Sequence, residues 1–384
     1  MHQTSTIGGG SYCLLNIIQA LDSKRFEAVV ALRSDGPLVD ELRKCKVEVI
    51  IFSQMTPIPY NKSLLKIKSI KAYRNADKSG VLLKKILREY KIDIMYLNNM
   101  MLCRYLKHAK EVGVKTIVHV REHWPFNEHQ RQLKWARKCV YLYADRMIAI
   151  NRYSAGMFPD KDSTIVYDWI DMGNRYEEKP FSEIFGEPVD NLKVYLYLGG
   201  LLNIKGSTQV LDAFMNLKDP NARLLVVGVD PTIKVVTFKD KIKSLLSKIG
   251  YNTYEYKVKS RIAKDSRIKC IPSTYNLAHI MEQSYCNLSY FTIPHANLAM
   301  AECELMGTPS IAARTDESDE YSLNGSLSVL YNLGDFSGFE SSFIIMDQRY
   351  QNIILNLKER RKELLEMFLP EVNIRKIKEV INCL

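Results

Sequence analysis

"YLYLGGLLNIKGSTQVLDAF", residues 195–214, decides the fold. It opens as an aromatic and aliphatic β-rich run, breaks at Gly199-Gly200, turns again at Lys205-Gly206, and continues as an amphipathic helix. A strand that passes through a glycine turn into a helix is the building unit of an open parallel α/β sheet, and such sheets bind ligands at the carboxyl ends of their strands. A lysine held there beside glycines can neutralise a phosphate, and the dipole and free N–H groups of the next helix add to the same field. Taken alone, a Lys-Gly pair before a helix is more often an ordinary surface turn.

The same alternation runs outward through nearly the whole chain. Strands are expected upstream at "EAVVAL", "VEVIIF", "DIMYLN", "KTIVHV", "RMIAI" and "TIVY", and downstream at "ARLLVVG", "RIKCI", "CNLSYF", "PSIAA" and "SLSVL", with helices at βαβ spacing between most of them. The fold class is therefore α/β, with parallel doubly wound sheets. At 384 residues the chain exceeds one ordinary core, and the polar, Pro- and Gly-bearing stretch Met172–Asn191 is the expected linker. A first Rossmann-like domain is expected over 1–171 and a second over 192–365, with a last helix near 366–384 that packs back on the first. Gly8-Gly9-Gly10 leads into an amphipathic helix, and such a loop normally follows the first, central strand; only seven polar residues precede it, so that strand is expected to be missing and the true start to lie upstream.

Composition narrows the function classes. Forty-six per cent apolar and 25% charged residues make a globular balance, and no apolar run is long enough to cross a bilayer. No basic segment followed by an apolar core marks an export signal, so a cytoplasmic protein is expected. The eight cysteines (13, 45, 103, 139, 270, 286, 303, 383) form no CxxC pairs and have no histidines at ligand spacing, which points to reduced thiols rather than a zinc site or a disulfide framework. Net charge is +11, and Lys62 to Lys91 carries ten basic residues against two acids, Asp77 and Glu89. Leu64, Leu65, Ile67, Ile70 and Tyr73 interleave with them, so the segment reads either as a face for an anionic membrane or as a solvated basic helix. No nucleic-acid motif accompanies the charge, and no nucleic acid is expected as a partner.

Two further stretches follow strands. In "PHANLAMAECELMGTP", residues 294–309, Asn297 is a good N-cap for a helix running to Met306, and the first amides, Leu298 and Ala299, then form an anion site. Glu302 lies a turn and a half further in. It is placed either to accept hydrogen bonds from vicinal hydroxyls such as a ribose diol or to stand as a solvated helix glutamate. "RTDESDEYSLNGSLSVLYNLGD", residues 314–335, is expected to be an acidic loop.

Together these stretches resemble the donor-binding half of the retaining GT-B glycosyltransferases of family 4, also called group 1. "GGGSYCLLNIIQALDSKRFEAVVAL", "DGPLVDELRKCKVEVI", "ADRMIAINRYSA" and "IVYDWID" are similar to its N-terminal domain. The resemblance implies two Rossmann-like domains facing across a cleft, a nucleotide sugar held by the second and an acceptor held by the first; the basic segment Lys62 to Lys91 suggests that this acceptor is at a membrane, so a glycan or polyprenyl-diphosphate-linked acceptor is expected. It implies that Lys205 binds the donor diphosphate and that Glu302 matches the glutamate on the nucleotide ribose. Gly199, Gly200, His295, Asn297, Leu298 and Ala299 fall in the donor-binding segments, and Gly8, Gly9 and Gly10 in the N-domain glycine loop. On the acceptor side, His119, Arg121, Glu122 and His123 of "TIVHVREHWPFNEHQ" are the catalytic candidates. A histidine there is suited to polarising a sugar hydroxyl, and a satisfied core histidine is the alternative for His119. His119 and His123 lie four apart without a shared helical face, so no metal site is expected, and no cofactor apart from the donor, which is a substrate.

Two departures stand out. The phosphate-binding arginine of the pattern is Gly200 here, and its first glutamate is Pro294; Arg261, Arg267 and Arg314 are candidates to replace the lost cation. The expected protein is a metal-independent, retaining hexosyltransferase of bacterial surface polysaccharide synthesis, peripheral on the inner face of the plasma membrane. The alternative is a non-catalytic sugar-nucleotide-binding subunit that partners an active transferase; a nucleotide-sugar epimerase is the third.

Overall fold

The computed structural model describes residues 1–59, 67–125, 130–170, 181–230, 254–274 and 277–384. Among them twelve strands form, each where the sequence pattern places one. They are β1 (Val29–Leu32), β2 (Glu48–Ile51), β3 (Ile94–Leu97), β4 (Lys115–Val120), β5 (Arg146–Ala149), β6 (Ser163–Ile165), β7 (Lys193–Tyr197), β8 (Ala222–Val227), β9 (Ile268–Ile271), β10 (Cys286–Ser289), β11 (Ser310–Arg314) and β12 (Val329–Asn332). Every ladder between them is parallel. β8 shows why these runs read so clearly: five of its six residues are buried, because helices cover both faces of a parallel sheet and leave few positions that tolerate a polar side chain.

The chain divides into two compact units, Met1–Trp169 with Met367–Leu384, and Ile170–Glu366. In the first, β1 pairs β2, and β3-β4-β5-β6 make a second sheet. No strand runs between β1 and β3 among the described residues; Met1 and His2 hold that position. The Met1 amine donates to the Tyr96 carbonyl (2.6 Å), Asn98 N–H donates to the Met1 carbonyl (3.1 Å), and His2 N–H donates to the Ala31 carbonyl (3.0 Å). The helix Pro370–Asn382 belongs to this unit, burying Ile377 and Val380 with Ile117, Ile148, Val166 and Trp169, while Asn373 accepts the Tyr167 N–H.

The second unit is one sheet of order β12-β11-β10-β7-β8-β9. Counted within the unit, that is the doubly wound order in which the chain reverses direction between its first strand, β7, and its fourth, β10. Of the expected linker, residues 172–180 lie outside the described residues; beyond them the helix Phe181–Phe185 packs both phenylalanines into the core of this unit with Leu196, Leu225 and Ile280. The expected acidic loop after β11 is in part a helix, Asp316–Tyr321. Thr315 and Ser318 close a capping box at its start and the acids of its first turn suit the helix dipole, so a run that reads as solvated charge is a helix N-terminus.

Lys62, Leu64, Leu65 and Lys66 of the basic segment lie outside the described residues, and the remainder forms the helix Ile67–Glu89. No helix among the described residues is long and apolar enough to cross a membrane. All eight cysteines are free thiols.

Candidate functional site

A small pocket opens at the switch point of the second unit, lined by the ends of β7 and β10 and the segments that follow them. Gly199, Lys205, Asn297 and Ala299 line it, as does Tyr197, which the sequence reading missed. The Lys205 turn is held from below: Tyr197 Oη donates to the Lys205 carbonyl (3.0 Å) and meets Ser207 Oγ (3.0 Å), and Thr292 N–H donates to the Ile204 carbonyl (3.0 Å). Gly206 then enters the helix Ser207–Asn216 with φ +67°, and a Cβ on it would overlap the Tyr290 carbonyl oxygen, so the glycine of the Lys-Gly pair is fixed by close approach of two loops.

Asn297 caps the helix Leu298–Leu305. Its side chain accepts from the Met300 N–H (3.3 Å) and donates to Ser289 Oγ (2.8 Å), which ties the helix start to the end of β10. The amides of Leu298 and Ala299 make no hydrogen bond within the described residues, as the first turn of a helix requires. His295 is exposed and packs edge-on against Phe291 (5.1 Å between ring centres).

Lys205 and Glu302 are the charged groups here. Lys205 Nζ donates to the Leu198 carbonyl (3.2 Å) and has no carboxylate at ion-pair distance among the described residues; burial lowers its pKa, and Glu302 pulls the other way. Glu302 is partly buried, receives no hydrogen bond from the described residues, and is pushed by burial up to about 7 against the pull of Lys205. Two opposite charges therefore sit in each other's field without joining, and both keep hydrogen-bonding capacity for something else.

Gly200 adopts φ +55°, and a Cβ on it would lie 3.1 Å from the Gly228 carbonyl oxygen. The crossing of the β7 and β8 ends sets this position, so a side chain there meets both left-handed strain and a close backbone neighbour. The three arginines expected to replace the lost cation are engaged elsewhere. Arg261 forks onto Asp212 (2.6 and 3.0 Å), Arg267 onto Asp265 (2.7 Å), and Arg314 pairs with Asp319 (2.9 Å); none lines the pocket. Within the described pocket, Lys205 is the cation.

The acceptor-side candidates lie in the first unit, at the end of β4, in a buried polar network. Arg121 Nε donates to Asn98 Oδ1 (3.0 Å), its Nη1 pairs with Asp168, and its Nη2 lies 3.3 Å from His119 Nδ1. Burial opposes the guanidinium charge, yet Asp168 holds its pKa above the ordinary value. His119 Nδ1 also meets Tyr96 Oη (2.6 Å); burial and Arg121 keep its ring neutral, and its Nε2 is buried without a hydrogen bond. Glu122 accepts from the Met100 and Arg121 N–H groups (3.0 and 3.1 Å), and burial raises its pKa. His123 stacks on Tyr153 at 3.9 Å. Gly8, Gly9 and Gly10 sit exposed at the head of the helix Gly9–Ala20, and the network reaches them: Asn98 Nδ2 donates to the Gly10 carbonyl (2.9 Å).

Asn98, Asp168, Tyr197, Asn287 and Ser289 were not singled out from the sequence. For Asn287 and Ser289 a signal exists, since two polar residues alternate inside a strand whose every position is buried.

Residues 8–158 match the family model described as glycosyl transferase 4-like domain. No curated protein matches the chain in sequence. Solved structures resemble it over its full length. Anabaena Alr3699/HepE in complex with UDP-glucose superposes with TM-score 0.72 at 18% identity, covering 100% of this chain and 99% of that one. Sucrose-phosphate synthase from Thermosynechococcus elongatus gives 0.69 at 13%, covering 99% and 94%. The lipopolysaccharide outer core galactosyltransferase WaaB gives 0.61 at 16%, covering 100% and 99%. The chain therefore has the α/β fold of the GT-B glycosyltransferases, and its first unit carries the match to the glycosyl transferase 4-like domain.

Proposed function

We propose that this chain is a glycosyltransferase that moves a hexose from a nucleotide-sugar donor to a glycan or polyprenyl-diphosphate-linked acceptor, with retention at the anomeric carbon. The observation that carries this reading is the pocket at the switch point of the second unit, lined by Lys205, which has no carboxylate at ion-pair distance among the described residues, and by Ala299 in the unbonded first turn of the helix Leu298–Leu305, with Glu302 outside the lining but in the field of Lys205. A nucleoside diphosphate fits that set, with its phosphates on the lysine and the helix start and its ribose hydroxyls on Glu302. UDP is the first ligand to test, because it occupies the Anabaena HepE structure.

When the glycosyl–phosphate bond breaks, negative charge gathers on the departing diphosphate, and preorganised donors there stabilise the transition state more than the ground state. Lys205 and the two amides supply that stabilisation. In a retaining transfer the acceptor hydroxyl forms its bond to the anomeric carbon on the face the phosphate leaves, and its proton passes to a phosphate oxygen. His119, Arg121, Glu122 and His123 are proposed for the acceptor side, where Arg121 and Glu122 order the end of β4. Gly8, Gly9 and Gly10 are proposed to approach the donor phosphates. A role in surface polysaccharide synthesis, on the cytoplasmic face of an anionic membrane, follows from this acceptor class.

The test is release of UDP from a panel of UDP-sugars, with and without acceptor extracts. Lys205→Ala is expected to lower turnover by about 100-fold or more, the scale of one lost charged donor, without changing the melting temperature. Retained activity contradicts the assignment. A second reading, a sugar-nucleotide-binding subunit without activity of its own, is favoured by Gly200, whose conformation disfavours an arginine there and leaves Lys205 as the single cation among the described lining residues. UDP binding without turnover on any donor and acceptor pair would select it.

A further inference from the structure

The first unit carries a surface that the pocket does not explain. The helix Gln130–Tyr143 contains Arg131, Lys134, Arg137 and Lys138 and no acid. One face of it, Leu133, Ala136, Cys139 and Val140, is buried in the core of the unit, and the opposite face presents Arg131, Lys134, Trp135, Lys138 and Leu142 at helical spacing. Trp135 is 46% exposed and Leu142 59%. The helix Ile67–Glu89 buries Ala76, Leu83 and Leu87 in the same core and turns Ile70 (43% exposed), Lys71, Arg74 and Lys78 outward. The two exposed faces meet where Tyr73 packs against Trp135, with ring centres 5.6 Å apart.

None of Lys71, Arg74, Lys78, Arg131, Lys134 or Lys138 has a carboxylate at ion-pair distance among the described residues. The neighbouring acid, Asp77, is taken by Arg104 (2.5 and 2.6 Å). A solvated basic face does not need a tryptophan, a leucine and an isoleucine set between its cations, and a phosphate backbone offers nothing to bury them. The layered edge of an anionic bilayer offers both: phosphate headgroups for the lysines and arginines, and the top of the acyl region for the apolar side chains, with indole at the boundary.

We propose that this two-helix face, centred on Trp135, docks the protein on an anionic lipid bilayer. It rests on the reading of the chain as a protein that works at a membrane, and it assigns that contact to Gln130–Tyr143 as well as to the basic helix Ile67–Glu89.

The fold supplies a reporter. Trp124 and Trp169 are buried, so of the three tryptophans Trp135 is the one whose emission responds to a lipid surface. The full chain is titrated with phosphatidylcholine vesicles and with vesicles containing about one third phosphatidylglycerol, reading sedimentation and tryptophan emission at two salt concentrations. The expected result is binding and a blue shift with the anionic vesicles alone, weakened by salt. Trp135→Phe should remove the shift, and the double variant Lys134→Glu, Lys138→Glu should weaken binding by about tenfold or more. A charge-matched control, Lys358→Glu with Lys362→Glu on exposed positions of the second unit, should bind as the parent does, and circular dichroism verifies that each variant is folded.

Anionic binding that the Lys134 and Lys138 changes leave intact overturns the face and keeps the membrane reading. Equal binding to neutral vesicles overturns the anionic face, and binding to neither overturns both. Binding to a polynucleotide with no vesicle binding assigns the charge to another partner and overturns the proposal.

Discussion

Two polar clusters in this molecule look alike in the sequence and differ in one respect in space. At the end of β4, Arg121, Asp168, Asn98, His119 and Tyr96 are bonded to one another until almost every donor has an acceptor. At the switch point of the second unit, among the described residues, Lys205 has one carbonyl, Glu302 receives no hydrogen bond, and two helix amides are open. Buried polar groups are costly unless paired, so a closed network stabilises the scaffold, while groups left with spare capacity in a concave site mark a place where a ligand completes the pairing. The first cluster shapes what surrounds it, including the Gly10 carbonyl; the second is where the donor diphosphate is proposed to bind.

That contrast can be broken. Asp168→Ala leaves the Arg121 guanidinium buried without its counter-ion and is expected to destabilise the protein by about 3–5 kcal/mol, read as a lowered midpoint in urea unfolding. A loss below about 1 kcal/mol would mean that the network is not a stabilising unit.

Glu302 should differ in that its replacement costs binding, while the burial penalty behind its raised pKa is relieved. Its carboxyl titrates at about 7, and a ribose diol donates to the ionised form, so UDP affinity is expected to rise as pH increases through 7 and then level off. Glu302→Gln should flatten that profile and weaken binding by about 1.5–3 kcal/mol, the range for a hydrogen bond to a charged group. A variant that binds like the parent at every pH removes Glu302 from the site.

Glu304 sharpens the comparison by lying two residues away and pointing into the core. It is 1% exposed, accepts from Ser328 Oγ (2.5 Å), and has a second oxygen without a partner, and burial pushes its carboxyl up to about 8. A carboxyl that holds its proton more tightly folded than unfolded contributes stability at low pH that is lost as pH rises from the ordinary glutamate range through about 8. Glu304→Gln should remove that loss and stabilise the protein above pH 8, measured as the pH dependence of the melting temperature. An unchanged profile would show that Glu304 does not titrate there.

How much of this was legible follows from the same physics. The strands were, because parallel strands covered on both faces need β-branched, aliphatic and aromatic runs, and twelve of those runs stand apart from their surroundings. Asn297 as a cap was legible too, since an asparagine before an apolar helix has a local reason to be there. The supports of Lys205 were not. Tyr197 acts on a residue eight positions away through a turn whose shape only the folded backbone fixes. The left-handed Gly200 was hidden for a similar reason: its contact, Gly228, comes from the next strand, so the sequence shows a missing arginine and not the crossing that disfavours one. The run "TDESDE" misled because solvated charge and a capped helix start share a composition, and the Thr315–Ser318 pairing separates them. The Trp135 face was passed over because the larger charge excess of Lys62 to Lys91 drew the reading to one helix, whereas the surface is shared by two.

The central claim is that the second unit grips a nucleoside diphosphate through Lys205, and calorimetric titration of UDP into the parent protein and into Lys205→Ala tests it most directly. The account predicts saturable one-site binding to the parent and a loss of about 2 kcal/mol or more in the variant, with the melting temperature of the unliganded protein unchanged. Equal affinity in the two proteins would contradict it.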